Sequence, residues 1–269
     1  MILVFDVGNT ETTVGLYDGT TLDAHWRVMT DVNRTPDEVA LQLRALLAAA
    51  GRPFERVTGV AIGSVVPSMT GTLSEACASL TGLDPVEIDA RSPLPIRLDV
   101  EEPMTVGADR ILNTLAASRL FGVDTIVVDL GTATTFDCIT AAGVFLGGVI
   151  APGVRTSAET LFRRTSKLPA TELVAPDRVI GRRTEECIRA GVVYGNAESI
   201  DGIVRRIKAA WPAAAATGSG DRAIDAAPLV VATGGLARTF QEHCREIDRV
   251  EPHLTLEGLR LAHELIVGP

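Results

Sequence analysis

Two stretches of the chain end an apolar run on a carboxylate and follow it at once with glycine and hydroxyls: LVFDVGNTETTVGLYDG at residues 3–19 and VVDLGTATTF at residues 127–136. Asp6 and Asp129 are 129 − 6 = 123 residues apart, and each is followed by an apolar residue, a glycine, and then Asn9 or Thr132. Both stretches sit in the same order of elements. Strands are predicted at 2–7, 11–17 and 21–29, turned at Gly8-Asn9 and Asp18-Gly19, and again at 125–130, 134–140 and 143–150, with Ala142-Gly143 at the last turn. A helix follows each triplet. A repeat of this kind constrains the fold more tightly than composition does, because it demands two copies of one supersecondary unit. The fold class is therefore α/β, two duplicated domains, each a mixed sheet that opens with three strands and is flanked by helices. The cut between them falls near residue 120, giving domains at 1–120 and 121–269.

The remaining punctuation fits that plan. Thr35, Pro36 and Glu38 make a capping box with proline in the first helical position, Val39, Leu43, Leu46 and Ala50 recur at helical spacing, and Gly51 ends the run. GVAIGSVVP is a continuous apolar strand of the kind buried on both faces in a parallel pairing. Further helices are predicted at about 68–80, 107–120, 154–165, 184–208, 236–248 and 256–267, with PLVVAT as a strand before the last two. The Ala- and Gly-rich segment 209–228 is predicted to be a surface excursion.

Composition removes several function classes. With 34 acidic against 25 basic residues, the net charge of −9 opposes a nucleic acid, and no Lys/Arg run offers a patch for one. Only Lys167 and Lys208 are lysines, and neither follows a glycine-rich turn, so the phosphate loop G-x-x-x-x-G-K-[ST] is excluded. Cys77, Cys138, Cys187 and Cys244 match no metal or redox spacing. His243, His253 and His263 stand ten residues apart and do not converge on one helix or hairpin. The start of the chain has no basic region, and no stretch reaches the roughly 18–20 apolar residues of a membrane span, so a cytoplasmic protein with no membrane association is expected.

A carboxylate at a strand end followed by glycine and hydroxyls has a physical use. Glycine lets the backbone approach a phosphate, amides and hydroxyls donate to its oxygens, and the carboxylate holds a cation, commonly magnesium through water. One such turn alone is equally a tight hairpin; its repetition with the same return strand points to a ligand. Two such turns facing each other would clamp the β- and γ-phosphates. Thr233, Gly234 and Gly235, between a strand and a helix, add a flat platform for adenine or ribose ahead of a helix N-terminus. Together the three turns describe an ATP cleft.

Two duplicated halves of this kind resemble the actin, sugar kinase and heat-shock ATPase superfamily, whose domains are actin-like (ribonuclease H-like). More closely, DVGNT, VGADRILN, DLGTATTF, LGGVIAPG and LTLEGLRL resemble the type III pantothenate kinases, in a match that runs from Asp6 to about Leu261. The resemblance implies transfer of the γ-phosphoryl group of ATP to the primary hydroxyl of pantothenate, forming 4′-phosphopantothenate, the first step toward coenzyme A.

It also implies roles. Asp109 matches the catalytic base. Val100, Gly107, Ala108, Asp109 and Arg110 match the substrate segment, Arg110 either holding a substrate group or orienting Asp109. Thr184 matches a pantothenate contact that reaches the site from the neighbouring subunit of a homodimer. Asp6, Val7, Gly8, Asn9, Thr10, Glu11, Thr12 and Thr13 would line the ATP phosphates, with Asp6 holding Mg2+ through water. Thr132 matches an ATP contact, and Asp129 the site of a monovalent cation, K+ or NH4+. The chain departs from many relatives at Val100, where they carry an aromatic residue, and at Ala190, where they carry serine. Two other readings of the same turns are a polyphosphate phosphatase and an ATP-binding regulator of transcription. The three carboxylates Asp6, Asp109 and Asp129 argue against the regulator.

Overall fold

The computed structural model describes residues 1–218 and 227–268. In chain order the elements are β1 (Ile2–Val7), β2 (Glu11–Asp18), β3 (Thr21–Met29), α1 (Pro36–Ala49), β4 (Gly59–Ser64), α2 (Pro67–Thr81), β5 (Val86–Ile88), β6 (Arg97–Leu98), α3 (Ala108–Leu120), β7 (Thr125–Leu130), β8 (Ala133–Ile139), β9 (Val144–Pro152), α4 (Val154–Arg164), α5 (Thr184–Gly218), β10 (Leu229–Thr233), α6 (Ala237–Gln241), β11 (Arg249–Val250) and α7 (Leu254–Val267). Two compact units divide them. The first is Met1–Ile96, Glu101–Ala116 and Leu254–Pro269; the second is Arg97–Val100 and Ala117–His253. The sequence placed one cut near residue 120, whereas the contacts cut inside α3 and return the C-terminal helix to the first unit.

The first sheet has the order β3-β2-β1-β4-β5 and the second β11-β10-β7-β8-β9-β6. Without β6, the second order read backwards is β9-β8-β7-β10-β11, strand for strand the first. Pairing directions repeat as well: the three opening strands are antiparallel, and the central strand β1 or β7 pairs in parallel with β4 or β10. The α/β duplication expected from the repeat is thus present in the topology.

In the first unit, Leu3, Phe5 and Val7 pack with Val39, Leu43 and Leu47 of α1 and with Met69 and Leu73 of α2. Alternation along β1 puts Val4 on the other face, where its neighbour Gly15 meets Leu256 of α7. The first helix has its full capping box, with the Glu38 N–H donated to Thr35 Oγ1 at 3.3 Å and the Thr35 N–H donated to Glu38 Oε2 at 2.9 Å. In the second unit, Ile126, Val128, Leu130 and Phe136 form a core with Val192, Val193, Ile200 and Val204 of α5 and Phe240 of α6.

Several elements differ from the sequence expectation. The helix predicted at 236–248 is only Ala237–Gln241, because the Asp201 carboxylate takes the N–H groups of Arg245 and Glu246 at 2.9–3.0 Å and ends the helical ladder. Helix α5 runs ten residues past its predicted end at 208, to Gly218, anchored by Trp211 Nε1–H donated to Asp124 Oδ2 at 2.9 Å. The predicted excursion therefore begins as helix, and its part at 219–226 lies outside the described residues. The short strands β5 and β6 carry no period long enough to be seen in sequence. Among the described residues no helix is long and apolar enough to cross a membrane.

Candidate active site

The first acidic turn joins β1 to β2. Asp6 faces Thr13 and Val7 faces Thr12, and the Gly8 N–H closes the turn on the Glu11 carbonyl at 3.1 Å. Asn9, Thr10 and Glu11 are exposed, whereas Thr12 is buried, 2% exposed. Behind the turn stands Thr30, the residue that follows β3. Its N–H donates to the Thr10 carbonyl at 3.0 Å, its hydroxyl donates to the Gly8 carbonyl at 2.8 Å, and its oxygen lies 2.9 Å from Thr12 Oγ1. Nothing in the sequence pattern singled out Thr30; its position directly after the third strand was the available signal.

The second acidic turn joins β7 to β8. Asp129 faces Thr135 and Leu130 faces Thr134, so these threonines hold the places of Thr13 and Thr12. The carboxylates are 123 apart, but the threonines are 135 − 13 = 122 apart: this turn is one residue shorter. The residue following β9, Gly153, donates its N–H to the Thr132 carbonyl at 3.2 Å, as Thr30 does to Thr10. Thr132 is therefore the counterpart of Thr10, not of Asn9 as linear spacing suggests. The Thr156 hydroxyl, in the first turn of α4, donates to the same Thr132 carbonyl at 2.7 Å. Thr233 pairs with Asp129, and Gly234, at φ 87°, lies so close that a Cβ there would stand 2.5 Å from Asp129 Oδ1. The third glycine turn is thus packed on the second carboxylate.

Hairpin conformation does not explain the glycines. Neither Gly8 nor Gly131 has a positive φ. A Cβ at Gly8 would stand 3.0 Å from the Glu11 carbonyl oxygen, whereas one at Gly131 would meet nothing closer than 3.6 Å. Among the described residues no contact requires glycine at 131.

The substrate segment heads α3 in the first unit. A Cβ at Gly107 would fall on Asp109 Oδ1, so glycine leaves the carboxylate room to fold back and accept the Arg110 N–H at 2.9 Å. Burial pushes the Asp109 carboxyl above the ordinary carboxylate range, and the Arg110 N–H and guanidinium charge pull it partly back. Ala108 is buried beneath it. The helix is held from behind, where Thr255 Oγ1 of α7 donates to Asn113 Oδ1 at 3.0 Å and Gly258 lets α7 reach the Leu112 carbonyl. Arg110 is half-buried.

Val100 belongs to the second unit, near Gly147, whose missing Cβ would come 3.6 Å from it. Thr184 opens α5 and is exposed. Ala190 is buried on that helix, and Gly191 and Gly195 are exposed with open space where their side chains would be.

This constellation can be set beside known proteins. Residues 2–206 match the family model described as type III pantothenate kinase. The type III pantothenate kinase of Moorella thermoacetica is 44% identical over 266 residues, covering 98% of this chain and 99% of its own length. That of Halalkalibacterium halodurans is 40% identical over 264 residues, with the same coverage of both chains. Among solved structures, a Baf family protein of Campylobacter jejuni superposes with a TM-score of 0.57 at 16% identity, covering 97% of this chain and 96% of its own. The ROK hexokinase of Thermus thermophilus does so with a TM-score of 0.50 at 14% identity, covering 99% and 98%. These two likenesses speak for the actin-like fold alone.

Proposed function

The chain belongs to the type III pantothenate kinases and phosphorylates pantothenate with ATP in coenzyme A synthesis, and on that premise we propose how its own residues carry the reaction. Asp109 is the general base. The pantothenate hydroxyl gives its proton to the Asp109 carboxylate as the oxygen forms its bond to the γ-phosphorus, and the bond from that phosphorus to the ADP oxygen breaks. The observation that carries this role is a carboxylate at the head of α3, raised in proton affinity by burial and given its place by the missing side chain of Gly107. Gly107, Ala108 and Arg110 hold the acceptor, and Val100 is a further contact to it.

The first turn, Asp6 to Thr13, takes the ATP phosphates, and Thr132 makes a further contact to the nucleotide. Asp6, half-buried at a strand end beside the exposed residues Asn9, Thr10 and Glu11, suits a magnesium ion held through water; Asp129, a half-buried oxygen ligand next to the exposed Gly131, suits K+ or NH4+. When bound, these cations supply charge neutralisation to the phosphates. In a cytoplasmic homodimer, Thr184 of each subunit reaches the neighbouring subunit's acceptor. Its exposure supports that reading, as do the apolar side chains of Val149, Ile150 and Phe162, which stand in solvent in the single chain.

The test is ATP plus pantothenate with magnesium, with and without potassium, for the native chain and Asp109→Asn. The native chain forms 4′-phosphopantothenate in a potassium-dependent reaction, and the variant loses about a hundredfold or more. Native activity falls as pH drops through the raised pKa of Asp109. Because that pKa lies above its unfolded value of about 3.9, the ionised group costs stability at neutral pH, and the cost is relieved as pH falls. Asp109→Asn therefore melts slightly higher than the native chain at pH 7. A variant that keeps native turnover, or ATP consumption that ignores pantothenate, overturns the assignment.

A further inference from the structure

We propose that Thr30 is a positioning residue for the ATP phosphates, acting through the backbone of the first turn; the inference rests on the reading of that turn as the phosphate contact. Thr30 ties down two carbonyls of the turn at once, Gly8 through its hydroxyl at 2.8 Å and Thr10 through its N–H at 3.0 Å. No peptide bond in the described chain is cis, and in a trans peptide the N–H points opposite to the C=O. Fixing the Gly8 and Thr10 carbonyls on Thr30 therefore turns the N–H groups of Asn9 and Glu11 away from it, and these two residues are exposed. Those amides can donate to the oxygens of a polyanionic phosphate chain without any lysine.

The direction of the third bond follows from proton count. A hydroxyl has one proton; that of Thr30 is on the Gly8 carbonyl, so Thr12 Oγ1 donates to Thr30 Oγ1 across their 2.9 Å separation. Thr12 is 2% exposed, and with its proton committed inward it acts on the nucleotide through Thr30. The chain Thr12–Thr30–Gly8 is thus a lock that presets the turn before ATP arrives. The second unit lacks it: Gly153, in the place of Thr30, has no side chain, and a Cβ there would stand 2.6 Å from the Gly131 carbonyl oxygen.

The experiment measures binding of a non-hydrolysable ATP analogue with magnesium, and of adenosine, to the native chain, Thr30→Val and Thr30→Ser. Thr30→Val keeps the shape and removes the donor and acceptor, so it binds the analogue about tenfold more weakly and adenosine as the native chain does. Thr30→Ser restores the native affinity. A purely structural role would lower both affinities together, and that outcome overturns the proposal, as does native affinity for the analogue in Thr30→Val. Should Thr30→Val fail to fold, Thr30→Ala against Thr30→Ser reads the same difference. A native chain that binds no ATP analogue sinks the phosphate reading itself, which separates that failure from failure of the lock.

Discussion

The two acidic turns occupy the same place in two sheets of the same order, yet they are braced by different chemistry. In the first, the residue after the third strand is Thr30, whose hydroxyl holds the Gly8 carbonyl and whose N–H holds the Thr10 carbonyl. In the second, that residue is Gly153, the start of α4 presses directly on the turn, and Gly153 N–H and Thr156 Oγ1 both hold the Thr132 carbonyl. The first turn leaves Asn9, Thr10 and Glu11 in solvent. The second sets its carboxylate under Gly234. A duplicated topology thus fixes where a turn stands and which strands it joins, while the residue after the third strand decides which of its groups remain for a ligand.

The sharpest way to break this comparison is to neutralise each carboxylate in turn. Asp6→Asn is expected to lose on the order of a hundredfold or more in turnover at any potassium concentration, the scale of a lost electrostatic contact to the transferring phosphoryl group. Asp129→Asn is expected to lose about tenfold and, more tellingly, its response to added KCl. Titrating each variant with magnesium and with KCl separately checks both, and identical cation profiles for the two variants would erase the difference between the turns.

Next in size is Gly153→Ala. Its Cβ would press on the carbonyl oxygens of Thr132 and Gly131, which are backbone and cannot swing aside. Overpacking of this kind costs about 1–3 kcal/mol, so thermal unfolding should show a Tm several degrees lower, with KCl activation weakened because the turn beside Asp129 has moved. The corresponding change in the first unit, Thr30→Ala, removes atoms and leaves the turn its space. A Gly153→Ala chain with native Tm would show that the second turn yields, and that its bracing is not rigid.

Much of this was legible in the residues. The positions of the longer strands, the capping box at Thr35 and Glu38, and the duplication all follow from short-range signals: period, turn residues and a repeated D-x-G. What stayed hidden depends on partners far along the chain. The end of α6 is set by Asp201, about forty-four residues away from the amides it caps. The lock at Thr30 acts across 22 residues on Gly8. The one-residue deletion in the second turn appears only when strand pairing, rather than linear spacing, aligns Thr12 and Thr13 with Thr134 and Thr135. Glycine at the turns was expected for left-handed backbone in a plain hairpin reading, and the structure removes that reason at both positions.

The smallest effect is the most discriminating. At Gly8 a Cβ would stand 3.0 Å from the Glu11 carbonyl oxygen, so Gly8→Ala asks the first turn to shift and should lower Tm slightly. At Gly131 the nearest atoms would be 3.6 Å away and φ is not positive, so the folded chain accepts alanine without strain. The unfolded chain, by contrast, loses freedom, and such a change stabilises by about 0.4–1 kcal/mol. Gly131→Ala should therefore melt a degree or two higher while binding an ATP analogue more weakly, because under the proposed function the nucleotide comes to the backbone beside the added methyl. Calorimetry paired with nucleotide titration reads both signs on one sample. A gain in Tm together with unchanged affinity would mean that Gly131 faces no ligand, leaving the first turn as the phosphate contact and the second as a hairpin.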